Sequence, residues 1–251
     1  MSPEPSHLHS WFELITKIDM LKYYIFLAIL HTLTISPAFA ADAPTFQNYV
    51  PKGWKLIIST VGDLNADGKN DAALVIEKDD QANRKPNSDL GVSELNLNPR
   101  RLLILLQNDR DYQTALSTDK FLPTEDDEES PCLADPLGDG GMQISKGLLN
   151  ITLSYWMSCG GWGSSSEEYL FRYENTRFLL IGSNHYYFMR NSGEATKYSI
   201  NYVTGKIKIT EGLNEFDEKE SKPKNVWKKI KNNAPKYLDE ITYSSLLKQY
   251  E

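Results

Sequence analysis

The feature that most constrains the fold is a series of short β-forming runs between residues 142 and 210. Gly147, the pair Asn175 and Thr176, and the pair Thr204 and Gly205 stand between consecutive runs, where they favour tight hairpin turns. Closely spaced β-runs joined by such turns predict an antiparallel meander. The runs occupy residues 142–145, 148–156, 168–173, 177–183, 185–190, 197–202 and 206–210.

Further β-forming segments precede this series, at residues 54–60, 72–77 and 101–107. The last of them is continuously apolar, as expected of a central strand buried on both faces. The polar stretch 79–99 between them predicts a long exposed loop. The acidic run 125–129 is typical of a solvated loop, with cation binding as the alternative.

The expected fold class is mostly β, an antiparallel sheet or meander forming a propeller-like or sandwich-like fragment, with short C-terminal helices. The helices are predicted because the chain becomes rich in lysine and glutamate after residue 211. Residues 225–231 and 237–250 have helical spacing, and Pro235 separates them. No long internal repeat is visible, so a single domain over residues 41–251 is the simpler expectation.

Residues 20–40 have the layout of a signal peptide. Met20 and Lys22 precede an apolar stretch at 23–35, and the small residues Ala38 and Ala40 predict cleavage after Ala40. The apolar stretch is shorter than the roughly 20 residues that span a bilayer. We therefore expect a periplasmic or secreted protein without a stable membrane anchor after cleavage. Residues 1–19 form an extension ahead of this signal, and Met20 is the expected start of translation.

The cysteine content indicates how the chain is cross-linked, and the net charge indicates which partners it does not bind. Cys132 and Cys159 are the two cysteines of the chain, and an even number in an exported protein predicts a disulfide. A zinc site is the alternative, but His185 is the single histidine after residue 40, and zinc requires more ligands. The net charge of -7 argues against a nucleic-acid partner, which needs clustered cations.

Residues 62–71, Gly-Asp-Leu-Asn-Ala-Asp-Gly-Lys-Asn-Asp, have the spacing of a calcium loop. Ca²⁺ prefers oxygen ligands, and alternate residues of a tight loop can supply them, with Gly68 permitting the turn. Leu74 stands where a helical EF-hand has glutamate, which disfavours that motif. The oxygen donors at the alternating positions are Asp63, Asn65, Asp67, the backbone carbonyl of Lys69, and Asp71.

Residues 54–77, this loop with its two β-flanks, resemble the calcium loop of the FG-GAP or VCBS-type repeats of integrin-like β-propellers. The resemblance implies a structural Ca²⁺ held by the five donors just named. The single copy resembles exported bacterial proteins that carry one such loop, and implies no activity. A metal-free turn rich in Asx residues is the alternative.

A second feature is the small-residue loop 158–166, which carries Trp162 beside Cys159. An exposed tryptophan in such a loop is a common binding anchor, whereas a tryptophan folded back onto the core would only close it. Trp156 follows an alternating strand and is expected in the core. His185 lies in an aromatic segment, and no Gly-x-Ser-x-Gly motif accompanies it.

These features favour an exported, calcium-stabilised binding module for a protein partner in the envelope or outside the cell, such as an inhibitor or immunity protein. A fold without a recognisable catalytic set more often binds than reacts. The alternatives are a periplasmic hydrolase that uses His185 or the acidic loop residues, and a structural component of the envelope.

Overall fold

Antiparallel strands dominate the part of the chain that the computed structural model describes, namely residues 46–138, 141–216, 222–230 and 234–242. The predicted signal peptide and the extension before it lie outside these residues. The strands are β1 (Trp54–Gly62), β2 (Asp71–Lys78), β3 (Arg84–Pro86), β4 (Glu94–Asn96), β5 (Arg100–Gln107), β6 (Tyr112–Thr118), β7 (Gly141–Ser145), β8 (Leu148–Trp156), β9 (Gly163–Glu174), β10 (Arg177–Met189), β11 (Glu194–Asn201), β12 (Lys206–Asn214) and β13 (Lys224–Lys229).

The first large sheet is four-stranded, in the order β1-β2-β5-β6. Its central strands, β2 and β5, are buried on both faces, which confirms the prediction made from the apolar run at 101–107. Alternate residues of β2 enter different clusters: Ala73 and Val75 join the main core, whereas Leu74 and Ile76 pack with Phe46. Period-two alternation therefore supplies two apolar surfaces from one strand.

The second large sheet is seven-stranded and runs as a meander from β7 to β13, each strand pairing with the next. Its tight turns confirm the prediction from turn residues. Lys146 and Gly147 have φ values of 54° and 74°, and Asn175 and Thr176 have 50° and 64°. Two consecutive positive φ values are typical of the turn whose twist suits a two-residue hairpin.

The main core joins the two large sheets. Side chains from β2 and β5 belong to the same buried cluster as side chains from β8, β9 and β10. Phe121, which follows β6, packs edge-on against Tyr169 and Phe171 of β9, with ring centroids 5.4 and 5.5 Å apart. Ile144 of β7 also donates its backbone N–H to Thr60 Oγ1 of β1 at 3.3 Å. The first sheet is thus fixed against the start of the meander.

The prediction of a helix at residues 225–231 is wrong, because Lys224–Lys229 forms β13. It pairs in antiparallel register with β12, placing Val226 opposite the buried Ile209. Without this strand the outer backbone groups of β12 would lack sheet partners, so pairing outweighs local helix propensity. In the second predicted helix, Tyr237 bridges to Leu179 and residues 238–240 form a turn, while residues 243–250 lie outside the described part.

The polar stretch 79–99 is not wholly an exposed loop. It contains the short hairpin of β3 and β4, in which Leu95 and Asn96 are buried. Strand β6 was also missed by the sequence patterns, because its residues are mostly polar and partly exposed. Among the described residues, no helix has the length and apolar character needed to cross a membrane.

Candidate functional site

The predicted calcium loop connects β1 to β2, and its acidic side chains fold back onto its own backbone. The Asp63 carboxylate accepts N–H groups from Ala66 at 2.7 Å and Gly68 at 2.9 Å. Asn65 Oδ1 accepts the N–H of Asp67 at 3.0 Å, and Asp67 Oδ1 that of Lys69 at 2.9 Å. Gly68 takes a φ of 83°, which glycine adopts without strain. The loop is therefore tightly turned around the predicted ligands.

Asp71 closes the loop from a buried position at the start of β2. Its Oδ2 accepts the N–H of Leu64 at 2.8 Å, and its Oδ1 accepts that of Gln107 at 2.9 Å. Burial raises the pKa of Asp71, the two backbone donors oppose this rise, and the charges of Asp67 and Asp63 add to it. A cation placed among these carboxylates would lower the pKa again.

The loop supplies the type of ligand atom that a hard cation prefers, but its side chains are not arranged around a common point as in a metal site. Carboxylate, amide and carbonyl oxygens are the ligands that Ca²⁺ prefers. However, no group of three His, Cys, Asp or Glu side chains arranged to hold a metal occurs in the described part of the chain. Because Asp63 and Asp67 accept backbone N–H groups, a bound ion would use their remaining lone pairs. Calcium at this loop stays a prediction.

The loop is also tied to the turn between β5 and β6. The side chain of Lys69 forms an ion pair with Asp109, with Nζ 2.6 Å from Oδ1. This contact raises the pKa of Lys69 and lowers that of Asp109. The Tyr112 hydroxyl donates to the carbonyl of Asn70 at 3.0 Å. Ordering of residues 63–71 would therefore also order the turn between β5 and β6 of the first sheet.

Cys132 and Cys159 form the disulfide predicted from the sequence, with Cα atoms 5.5 Å apart. The bridge connects the segment before β7 to the connection between β8 and β9. Backbone contacts reinforce it: Ser158 N donates to the Cys132 carbonyl at 2.8 Å, and Ala134 N to the Trp156 carbonyl at 2.9 Å. The start of the small-residue loop is thus fixed covalently.

Trp162 is the last residue of the connection between β8 and β9, because residues 163–166 of the predicted loop belong to β9. Its side chain is not folded onto the core, since the residue is 62% exposed. Arg190 holds the surrounding backbone. Its Nη2 donates to the carbonyls of Met157, at 2.7 Å, and Gly161, and its backbone N–H donates to the carbonyl of Trp162 at 2.8 Å. Residues 157–162 are therefore fastened at both ends, with the indole left on the surface.

Trp156 was expected in the core, and this is wrong: it is 43% exposed. The residues of β8 that face the core are Leu149, Ile151 and Leu153, so an even-numbered residue falls on the outer face. The Arg190 guanidinium lies over the Trp156 ring, 4.1 Å from its centroid. Trp156, Trp162 and the 40% exposed Tyr187 occupy the same end of β8 to β10, which we call the aromatic end.

His185 lies on β10 directly opposite Glu167 of β9. Its Nδ1 is 3.4 Å from Glu167 Oε1, and the Tyr169 hydroxyl donates to the other oxygen of the same carboxylate. Glu167 is 2% exposed and was not singled out from the sequence. The sequence did contain a signal for its burial: Glu167, Tyr169 and Phe171 are alternate residues of one strand and therefore share a face. A general base needs a neighbouring group that positions it, and Glu167 is the carboxylate beside His185.

A buried ionic network was also missed by sequence reasoning. Arg100 donates through Nε to Glu77 at 3.0 Å and through both terminal nitrogens to Asp135 at 2.6 and 2.8 Å. Lys55 and Asn96 complete the shell of Glu77 at 2.9 and 2.8 Å. Burial alone would raise the pKa of Glu77, but these donors hold it below its usual value. The network joins β1, β2, β4 and β5 to the segment that precedes β7.

The acidic run 125–129 is only partly a solvated loop. Asn96 contacts it twice, donating from Nδ2 to Glu125 at 2.5 Å and from its backbone N–H to Asp126 at 2.7 Å. Glu128 pairs with Lys85 at 2.9 Å, and residues 127–129 are exposed. These partners give the run a structural role in docking the hairpin of β3 and β4.

Comparisons with protein-family models, with curated proteins and with solved structures find no match to this chain. The resemblance to FG-GAP or VCBS-type repeats therefore remains one of the loop alone.

Proposed function

We propose that this chain is an exported, calcium-stabilised β-domain, sandwich-like in its packing of two sheets, that binds another protein through the aromatic end. The observation that carries the proposal is the exposed Trp162 on a loop fastened by the disulfide and by Arg190. An inhibitor or immunity protein of the periplasm or the cell exterior is the specific form that we favour.

A fastened loop suits binding because ordering flexible side chains and loops on association costs free energy. Here residues 157–162 are held before any partner arrives. Tryptophan and tyrosine are among the residue types most enriched at energetically dominant interface positions, and the aromatic end exposes Trp156, Trp162 and Tyr187.

Calcium has a structural role in this proposal. The loop at 63–71 connects β1 to β2. It contacts the end of β5 through Asp71 and the turn after β5 through Lys69. A metal bound there would brace the first sheet, on which the meander packs. The aromatic end would then be supported rather than formed by the ion.

The test is capture from the exported proteins of the source cells on immobilised chain, followed by affinity measurement with the purified partner. Changing Trp162 to Ala should weaken binding at least thirtyfold, since hot-spot truncations cost about 2 kcal/mol or more. Trp227→Ala is the matched control, because Trp227 is 64% exposed on the edge strand β13, outside the aromatic end. Equal affinity of wild type and the Trp162 variant would remove the aromatic end as the binding site.

A hydrolase is the second candidate, and the pair of His185 with Glu167 is the observation that favours it. A catalytic base contributes about 10²-fold or more to rate, so His185→Ala should abolish any hydrolysis of a chromogenic ester or glycoside panel. A binding module should show no hydrolysis in either form and should keep its affinity in the variant.

A further inference from the structure

Lysines dominate the charge of the last two strands of the meander. Strand β12 has the sequence KIKITEGLN and β13 the sequence KNVWKK. The acid among them is Glu211, and the lysines are Lys206, Lys208, Lys224, Lys228 and Lys229. This local excess of positive charge stands in a chain whose formal net charge is -7.

The strand register gathers lysines around a tryptophan on one face. Lys206 is paired with Lys229, and Lys208 with Trp227. Directly paired residues of antiparallel strands lie on the same face, as do alternate residues along each strand. Lys197 of β11 joins this face because it is paired with Thr210. We call Lys197, Lys206, Lys208, Lys229 and Trp227 the basic face.

The basic face is turned away from the core. Ile209, between Lys208 and Thr210, is buried on the opposite side of the sheet. Trp227 is 64% exposed, and the lysines are exposed except for Lys208, which is half-buried. Within the described ranges, none of these four lysines takes part in an ion pair.

The acid in the same cross-strand row is already engaged. From Trp227 the row passes through Lys208, Ser199 and Asn184 to Glu168 on β9. The Glu168 carboxylate accepts hydrogen bonds from Asn150 at 2.5 Å and Asn184 at 2.6 Å. It therefore has amide partners of its own, and it lies several strands away from the lysines.

Protection of a sheet edge explains only part of this arrangement. Lysines on an edge strand discourage pairing with another chain, and β13 is an edge strand. However, Lys206 and Lys208 lie on β12 and Lys197 on β11, both inside the sheet. Like charges placed directly opposite each other, as in Lys206 and Lys229, destabilise a strand pair. An anionic ligand over this face would relieve that repulsion.

We propose that the basic face docks the protein reversibly on an anionic phospholipid surface. The lysines lie over the headgroup phosphates, and the Trp227 indole enters the interface between headgroups and acyl chains. Tryptophan prefers this interface because its ring is apolar and its N–H is polar. Lysines near such a surface each strengthen binding, by an amount that falls with added salt. The inference does not depend on the proposed partner of the aromatic end.

A lipid surface fits the basic face better than a soluble polyanion does. Charge alone would serve either ligand, but a polyanion in water offers no apolar layer for a tryptophan exposed to this degree. The face is also one side of a sheet and is built from adjacent strands, so its cations are spread over an area as a headgroup layer requires. Trp227, on the edge strand beside Lys208 and Lys229, supplies the apolar contact.

The test is co-sedimentation of the chain from Ala41 onward with phospholipid vesicles. This chain contains the whole compact unit Phe46–Glu251, whose described core lies between Phe46 and Ile241. Vesicles of phosphatidylcholine with phosphatidylglycerol should bind it at about 0.1 M salt and release it as salt increases, since the Debye length shrinks. Vesicles of pure phosphatidylcholine should bind it far more weakly.

Variants then locate the contact. Neutralising Lys206, Lys208 and Lys229 with glutamine should lower vesicle affinity roughly hundredfold, at about fivefold for each lysine. The matched control neutralises the exposed Lys52, Lys120 and Lys146, which changes the net charge equally and should leave affinity within about twofold. Trp227→Phe should lose the lipid-induced blue shift of fluorescence that Trp162→Phe keeps.

Each outcome decides the proposal. Equal binding of wild type to neutral and anionic vesicles would overturn it, and so would equal loss in the two lysine variants. Binding to soluble dextran sulfate without binding to vesicles would overturn the lipid assignment. The salt titration uses wild-type protein, so the proposal stays testable even when a variant fails to fold.

Discussion

Arg190 lies over the ring of Trp156 and donates hydrogen bonds to the carbonyls of Met157 and Gly161. One side chain, on the residue that follows β10, therefore contacts both the end of β8 and the loop before β9. A planar guanidinium can stack on an aromatic ring and donate in several directions at once, whereas a lysine ammonium lacks this geometry.

Changing Arg190 to Lys should therefore loosen residues 157–162 without unfolding the protein. We expect faster amide exchange at Gly161 and Trp162 and a loss of about 1–3 kcal/mol in the free energy of unfolding, because carbonyls lose charged donors. Native-state hydrogen exchange followed by mass spectrometry measures both effects. Arg172→Lys is the control, since Arg172 pairs with Glu174 on its own strand. Unchanged exchange in 157–162 would mean that the disulfide alone orders the loop.

Calcium should raise the thermal unfolding midpoint of the wild-type protein relative to chelator. A ligand that binds only the folded state contributes RT ln(1 + [L]/Kd), about 2.7 kcal/mol at a hundredfold excess over Kd. Changing Asp63 and Asp67 together to Ala should remove this response. Asp89→Ala, an exposed acid outside the loop, should retain it. If calcium leaves the midpoint of wild type unchanged, residues 63–71 form a metal-free turn.

Stability should fall as the pH drops through the lowered pKa of Glu77. A carboxyl whose pKa is lower in the folded state binds fewer protons when folded. Its contribution is therefore full above its unfolded pKa, about 4.3, and is lost as the pH falls below that value. Glu77→Gln should flatten this part of the stability curve. It should also cost about 3–5 kcal/mol at neutral pH, because Arg100 loses a buried partner.

Urea unfolding between pH 3 and 7 measures this dependence, a range that brackets the usual carboxyl pKa of about 4. Glu94→Gln is the control, because Glu94 is half exposed in its pair with Arg84. The same slope in wild type and in the Glu77 variant would assign the acid sensitivity to other groups.

Removal of the disulfide by changing both cysteines to Ser should destabilise the folded state by about 3–4 kcal/mol, as expected for a loop of this length. Reduction of the wild-type protein should lower the urea midpoint to the same value. The backbone amide of Trp162 should then exchange faster than the amides of the core strands, because Cys159 no longer holds its loop. A midpoint insensitive to reduction would show that backbone contacts around Cys132 suffice.

Features set by neighbouring residues were predictable from the sequence. Strand β8 occupies the predicted residues 148–156, and the hairpin turns fall at Gly147 and at Asn175 and Thr176. Turn residues act locally, through the φ values that they allow, so a turn can be predicted from the residues that form it. The cysteine pair was predictable because the chain offers a single pairing.

Features that depend on distant partners were not predictable. The partners of Arg100 are 23 and 35 residues away, and no local pattern connects them. Strand β13 has helix-favouring lysines, and only the open edge of β12 makes it extended. Trp156 was misplaced because the parity of the alternation was not applied to it: the odd-numbered residues of β8 face the core, so Trp156 falls on the outer face. The pair of Glu167 and His185 required knowledge of strand register.

The uninterrupted order of the meander has a consequence for how the chain acquires its structure. Every strand from β8 to β13 pairs with the strand that immediately precedes it in the chain, so these contacts are short in sequence separation. Low contact order favours rapid folding. A chain emerging from its N-terminal end could therefore add these strands one at a time, each on an edge already formed, with β13 and its lysines as the final addition.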